Sequence, residues 1–541
     1  MDTDTSAGTQ APSGPVPTAI ARQPASGRGW RFTGWHVPAS WPLLPVLIVQ
    51  AVLSLRLVRA DTAFQDEALF LWAGHLQWAH WLHGTLIPPF PYYFSGAPVI
   101  YPPLGALADS VGGLAGARVL SLVFMLSATA LLWSTTRRLF GRRSAFFAAA
   151  LFAVLGPVLE LGALATIGAM SVFLVALAAW LAMRSGTEGG ARARMVLAGV
   201  ALGLANATRY STLLFDVFVP VLAVLAVLPT VGIRIALRRA AILVGTLAAF
   251  LTVSLLLGGS SYLSGFERTD LTPEAHTDSP LSVVSHSWYW AGLLVVLAIG
   301  GVVLSCVRQE PRPRIWLLAV LAVAVVIGTA EQGWMHTTAV LNQHVGLGAW
   351  FTAIAAGYAV DRFIAAAPAG REQALTSVFC VAALVFPVWL GAAQSWAMAT
   401  SWPNATSFTS IFGPLADHGH GRLLVEDPAI AEYYLKSGSQ WQRWSSTRNI
   451  VLPGGASTGG PAATSSITAA GDPAAFARYI SMGYFSYVAL NFTDTTALDH
   501  GLATLLHHNA NYHTIQVVPY GFEVKPIGQG TYVIWKYEPR S

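Results

Sequence analysis

Charge is scarce in this sequence. Of 541 residues only 11% are Asp, Glu, Lys or Arg, where a soluble globular chain carries roughly 25%. The hydrophobic share is 54% and the mean hydropathy is +0.53. That balance excludes a water-soluble enzyme and a disordered protein, because neither can hide so much apolar surface. Cysteine is almost absent: Cys306 and Cys380 stand alone, each inside an apolar run. Two isolated thiols exclude a disulfide framework and a CxxC metal site. Lysine is nearly missing as well, at three residues, while arginine and alanine abound. Such a bias points to a high-GC bacterium. The formal charge of +5 is small and comes from loop arginines, so it does not argue for nucleic acid.

The first forty residues have no apolar core. They are rich in Ser, Thr, Pro, Gly and Ala, and residues 1–40 read as a disordered cytoplasmic tail. The first apolar run starts too late for a cleavable signal peptide.

Long apolar runs are what the sequence does have. A membrane-crossing helix needs about 20 mostly apolar residues. Runs of that kind lie near 42–59, 117–136, 144–164, 166–183, 194–208, 212–229, 240–258, 288–306, 315–330, 345–363 and 374–394. Eleven spans are expected, within a range of ten to thirteen, because the fifth and ninth are short. Arginines fill every second loop: Arg22, Arg28 and Arg31; Arg137, Arg138, Arg142 and Arg143; Arg184, Arg192 and Arg194; Arg234, Arg238 and Arg239; Arg308, Arg312 and Arg314; Arg362 and Arg371. The alternate loops hold little beyond Arg209 and Arg268. Basic loops stay cytoplasmic, so the N-terminus is expected inside and the chain after residue 394 outside.

The expected fold class is mainly α: a polytopic bundle over 41–394 with a small extracytoplasmic α/β domain over 395–541. Within the bundle, residues 60–116 form a long aromatic outer loop, and 66–83 reads as a helix lying in the interface. In the tail, strand-like runs (Arg422–Glu426, Asn449–Leu452, Tyr487–Asn491, Thr531–Lys536) alternate with helix-like ones (Pro428–Lys436, Pro473–Met482, Ala497–His508). The stretch 453–471 is a Gly/Ser/Thr/Ala loop.

The main chemical signal is the pair Asp66-Glu67 just outside the first span. Adjacent carboxylates beside a low-dielectric slab must be solvated, paired or bound to a cation. One can act as general base on a hydroxyl, and the pair permits a divalent ion without demanding one. The plain alternative is a helix start, where acids are favoured.

The order of short motifs resembles the GT-C membrane glycosyltransferases, in the branch of protein O-mannosyltransferases and aminoarabinose-lipid A transferases. The matching pieces are Asp66-Glu67, Tyr101-Pro102-Pro103-Leu104, Ala117-Arg118 and Asn206-Ala207-Thr208-Arg209-Tyr210. Arg209 stands where a lysine is frequent, and the tail carries no motif of the family. The resemblance implies a GT-C bundle and an inverting transfer of a sugar from a polyprenyl-phosphate donor in the outer leaflet. The acceptor would be an envelope glycan, lipid or protein. It makes Asp66 the base and Glu67 its partner, orienting the site or holding a metal. No other cofactor is implied.

Arg209, with Tyr210 beside it, is the candidate for the donor phosphate. A guanidinium fork suits phosphate oxygens, and a lone outer arginine runs against the charge bias, although it can also snorkel to headgroups. Glu331, His336 and His344 in the loop between the ninth and tenth spans, together with Tyr101, are candidates for donor or acceptor contacts. The loop 259–287, with Glu267, Arg268, Asp270, Glu274, His276 and Asp278, reads as solvated or as an acceptor lid. His507, His508 and His513 read as surface residues, and the sequons at Asn206, Asn404 and Asn491 as chance matches. Two other classes were weighed. A secondary transporter places ionisable groups at mid-span and shows inverted repeats, neither of which is visible. A non-catalytic envelope scaffold has no need of Asp66.

Overall fold

The computed structural model describes residues 41–92, 94–184, 190–266, 278–447, 449–450, 467–468, 473–493, 495–520 and 530–540. The expected tail 1–40, the loop residues Glu267, Arg268, Asp270, Glu274 and His276, and the 453–471 stretch apart from 467–468 lie outside those residues.

Apolar runs become helices because a helix satisfies its own backbone where no water can. The first part holds α1 (Leu43–Leu55), α2 (Gln65–His83), α3 (Tyr101–Phe140), α4 (Arg142–Ala153), α5 (Gly156–Leu161), α6 (Ile167–Arg184) and α7 (Ala191–Thr208). It continues with α8 (Leu213–Asp216), α9 (Phe218–Val231), α10 (Ile233–Phe266), α11 (Pro280–Val307), α12 (Arg312–Trp334), α13 (Leu341–Ile364), α14 (Arg371–Ala383) and α15 (Val385–Ala399). Every run expected to span is helical. Among the described residues, however, 7 helical segments are long and apolar enough to cross a membrane, rather than eleven. The difference has local causes. Helix α1 has 13 residues and rises only about 20 Å. The 144–164 run breaks at Val154–Leu155 into α4 and α5. Helices α7 and α13 carry polar residues at their ends, Arg192 and Arg194 in one and Asp361 and Arg362 in the other.

Helix α13 is the centre of the bundle. From Val345 to Ala359 it is buried throughout, with α4, α11 and α12 packed around it. Its small residues permit that close approach. Helices α10, α14 and α15 sit at the periphery and expose Leu256, Leu257, Val378, Phe379 and Trp389, an apolar surface that suits lipid. Helix α2, expected in the interface, packs on the first turns of α3. Gly113 (φ 60°) then breaks α3, so its first turns and its spanning part take different directions.

Residues after α15 form α16 (Thr406–His418), β1 (Leu423–Val425), α17 (Ala429–Tyr434), β2 (Trp444–Ser445), β3 (Asn449–Ile450), β4 (Ile467–Thr468), α18 (Pro473–Ser481), β5 (Tyr487–Leu490), α19 (Thr496–His508), β6 (Tyr512–Tyr520) and β7 (Gly530–Tyr537). Five strands make one sheet in the order β2-β1-β5-β7-β6, and β3 and β4 pair separately. Strand β1 runs parallel to β2 and β5, while β7 is antiparallel to β5 and β6. Alternate residues feed opposite cores. Leu424, Val488, Leu490 and Trp535 meet α18 and α19, whereas Leu423, Val425, Ala489 and Ile534 meet Phe408 and Phe412 of α16. The small α/β unit expected in the tail is therefore present, and β6 is an added edge strand. Its Pro519 is tolerated because an edge needs no donor on one side.

Candidate active site

Helix α2 starts from an extended Phe64 (φ −68°, ψ 155°) and carries both acids in its first turn. Consecutive helical residues project about 100° apart, so Asp66 and Glu67 cannot share a face. Glu67 goes inward with Leu71 and Gly74 and is fully buried. Its Oε2 accepts from the Phe64 N–H (2.9 Å) and from Arg118 Nη2 (2.6 Å). Its Oε1 accepts from the Ala165 N–H (2.6 Å) and from Arg118 Nε (2.8 Å). Arg118 is equally buried and also donates to the carbonyls of Val58, Asp61 and Thr62. The fork therefore ties α3 to α2 and to the turn after α1.

Asp66 goes the other way. With Leu69 and Phe70 it lines a pocket of about 80 Å³, closed by Phe94, Ser95, Thr166, Ile167, Arg209, Val340 and Gln343. Among the described residues its carboxylate has no hydrogen-bond partner. Burial pushes the Asp66 carboxyl up from its ordinary value; Arg209 pulls it down and Glu67 pushes it up, both by smaller amounts. A carboxyl held that way is a better proton acceptor than an exposed one.

Arg209 reaches the pocket because α7 ends at Thr208 and the backbone turns extended (φ −152°, ψ 121°). The 95–97 loop pins that end. The Tyr210 N–H donates to the Ser95 carbonyl (2.9 Å) and the Ala97 N–H to Ala207 (2.6 Å). Between them Gly96 lies so close that a Cβ would sit 2.0 Å from the Thr208 oxygen, which only glycine allows. The Arg209 guanidinium donates to Ser211 Oγ (2.7 Å) and to Gln343 Oε1, and its Nη2 stands 3.2 Å from His344 Nε2. His344 Nδ1 in turn stands 3.0 Å from Glu331 Oε2. A guanidinium has only donors, so Nε2 must accept and the imidazole proton sits on Nδ1, the nitrogen nearer Glu331. Arg209 is thus backed by a chain of two side chains, His344 on α13 and Glu331 on α12.

The sequence-predicted residues separate accordingly. Asp66 and Arg209 share the pocket, and Glu331 and His344 back Arg209 from outside it. Tyr210 contributes its amide to the loop contact and its buried side chain lies away from the pocket lining. His336 is not brought in: it is exposed, with Nδ1 3.1 Å from the Asp278 carbonyl. Tyr101 does not line the pocket either. It is fully buried, its ring edge-on to Phe70 and its hydroxyl beside Ser121. Glu67 does not offer a second oxygen for a shared divalent ion, because four donors occupy its two. Among the described residues no group of three or more His, Cys, Asp or Glu side chains is placed to hold a metal. Sequence reasoning missed Gln343, the neighbour of His344. It also missed buried Glu160, which accepts from Asn342 Nδ2 (2.7 Å) and fixes that loop. The signal for Glu160 was an acid inside an apolar run.

Comparison with known proteins adds the following. Residues 106–257 match the family model described as dolichyl-phosphate-mannose-protein mannosyltransferase. No curated protein matches the chain in sequence. Among solved structures, apo ArnT from Cupriavidus metallidurans is similar at 13% identity and TM-score 0.55, covering 92% of this chain and 98% of its own. The same protein bound to undecaprenyl phosphate gives 13% and 0.53, with the same coverage. The apo oligosaccharyltransferase of Archaeoglobus fulgidus gives 15% and 0.54, covering 91% of this chain and 76% of its own. The chain shares the fold of these membrane glycosyltransferases, and the mannosyltransferase model matches its residues 106–257, in line with the resemblance read from the motifs.

Proposed function

We propose that the chain transfers a sugar from a polyprenyl-phosphate donor to an acceptor hydroxyl outside the cytoplasm, with inversion and with Asp66 as base. The observation that carries this reading is that Asp66 and Arg209, distant in sequence, line one pocket at the end of a GT-C bundle. The acceptor oxygen attacks the anomeric carbon, its proton passes to Asp66, and the bond from that carbon to the phosphate oxygen breaks. A single displacement inverts the centre. The lipid phosphate leaves with added negative charge, which Arg209 is positioned to meet. Glu331 and His344 act through Arg209, and Glu67 with Arg118 holds the first turn of α2 in place. ArnT, the similar structure, binds undecaprenyl phosphate, which supports this class of donor. The decisive assay is sugar transfer by the purified chain from a synthetic polyprenyl-phosphate sugar. No transfer from any such donor by well-folded protein would overturn the proposal.

Arg209→Ala is expected to weaken donor use about ten- to a hundredfold, since a charge-assisted contact is worth roughly 1.5–3 kcal/mol. Arg209→Lys should keep part of it, with the charge but without the fork. An unchanged donor constant in folded Arg209→Ala protein would remove this residue from the phosphate.

The topology proposed with this function puts the N-terminus in the cytoplasm and residues 395–541, as a separate domain, outside. Export-dependent reporters fused after residue 400 should be active, and cytoplasm-dependent ones silent. The reverse pattern would refute the orientation.

A further inference from the structure

Helix α6 has 18 residues, beginning at Ile167 in the Asp66 pocket and ending at Arg184. At about 1.5 Å per residue it rises roughly 27 Å, close to the thickness of a bilayer core. Its far end lies in a second pocket, of about 330 Å³, lined by Ser134, Thr135, Arg137, Arg138, Trp180, Met183 and Arg184. That volume falls in the range of small-molecule sites.

Three arginines line it, and among the described residues none has a carboxylate partner. Arg184 lies over the Trp180 ring, 4.5 Å from its centroid. Trp180 Nε1 donates to Ser134 Oγ (3.0 Å) and locks α6 to α3. The floor carries a further sign. Thr135 is 1% exposed, and among the described residues its hydroxyl has no hydrogen-bond partner. A buried hydroxyl left unmatched is costly unless something supplies the missing contact. Both α3 and α6 end near this pocket, and helix C-termini repel anions. Three arginines outweigh that partial charge, so the pocket selects negative charge through side chains alone.

We propose that this pocket binds a phosphate group at the face of the bundle opposite Asp66, and that the group belongs to the headgroup of an anionic lipid. Trp180 and Met183 supply an apolar wall where acyl chains begin, and Arg137, Arg138 and Arg184 grip the phosphate oxygens, with the Thr135 hydroxyl as a further donor. Basic pockets between membrane helices recognise anionic headgroups in this way. The site is separate from sugar transfer, and its failure would leave that proposal untouched.

The test uses the full-length purified chain and native mass spectrometry, with phosphatidylglycerol, phosphatidylcholine and inorganic phosphate as separate probes. Wild type should retain phosphatidylglycerol at least about twentyfold more tightly than phosphatidylcholine, at roughly fivefold per surface arginine. The double variant Arg137→Gln/Arg184→Gln should lose that preference. Arg234→Gln/Arg238→Gln, which removes two exposed arginines outside the pocket, should keep it. Thr135→Val, which preserves shape, should weaken retention a few-fold and so guards against a merely misfolded double variant. If millimolar inorganic phosphate displaces the lipid, the site stands and its ligand is a soluble phosphate compound; if it does not, the ligand is the lipid. Equal retention of both lipids by wild type, or an equal loss in the Arg234/Arg238 control, would overturn the proposal.

Discussion

Asp66→Asn is expected to stop sugar transfer while folded protein persists. Asparagine keeps the shape of the side chain in the pocket it shares with Leu69, Phe70 and Arg209, but it cannot take a proton. Loss of a general base typically costs on the order of 10²–10⁴ in rate. Stability should not suffer. Burial raises the Asp66 carboxyl above its ordinary value, so the ionised form is less favourable folded than unfolded. Near neutral pH that charge destabilises the fold, and a neutral amide removes the cost. The same shift sets a pH dependence: the acid limb of turnover should lie above the usual carboxylate range. Arg209→Ala should move it higher still, because a charge that favours ionisation has gone. Near-normal turnover of Asp66→Asn, or an acid limb that ignores Arg209, would end the assignment of Asp66 as base.

Arg118→Met is expected to unfold the outer end of the bundle. It strips Glu67 of two of its four donors and leaves a carboxylate at 0% exposure without its counter-charge. Breaking one side of a buried pair costs about 3–5 kcal/mol, a large fraction of a typical folding free energy of roughly 5–15 kcal/mol. The readout is the melting temperature and yield of monodisperse protein in detergent. The double change Glu67→Gln/Arg118→Met should recover much of the loss, since a neutral pair leaves no buried charge. Wild-type melting of Arg118→Met would show that the pair does not hold the fold.

The two acids illustrate what the sequence made legible. Their place beside the membrane was readable, because charge is rare here and marks the ends of apolar runs. Which of them faces the pocket was open to the helical period but was not drawn from it. Glu67, Leu71 and Gly74 fall on one face, and Asp66, Leu69 and Phe70 on another. Arg118 was visible as a motif residue, yet its partner could not be read, since a contact across α2 and α3 depends on how two helices cross. Arg209 was legible as a lone outer cation, while the chain behind it through His344 to Glu331 required α12 and α13 to be placed side by side. His336 and Tyr101 do not line the pocket, because sequence proximity to a loop is not orientation. In the tail, local patterns marked β1, β5, β7, α17, α18 and α19. Strand β6 escaped although its partner β7 is the next strand in the chain, because its Pro519 argues against a strand.

The segment around α2 is fastened by residues that come far later in the chain. The Ala63 N–H donates to the Tyr434 hydroxyl, Trp72 Nε1 to the Gly438 carbonyl, and Trp441 Nε1 to the Leu86 carbonyl. Tyr433 donates to Asp109, which also meets His75. These partners are 324 to 371 residues apart, or 355 to 371 for the contacts made to Ala63, Trp72 and Leu86. A ribosome adding about 5–20 residues per second needs roughly 20–75 s to cover that distance. During this interval α2 has left the ribosome without its final neighbours. The helix that carries Asp66 therefore gains these contacts only once residues 433–441 are made, after the chain has supplied the pocket's own lining, which ends at Gln343. Synthesis itself sets the order in which the pocket is first lined and then fastened.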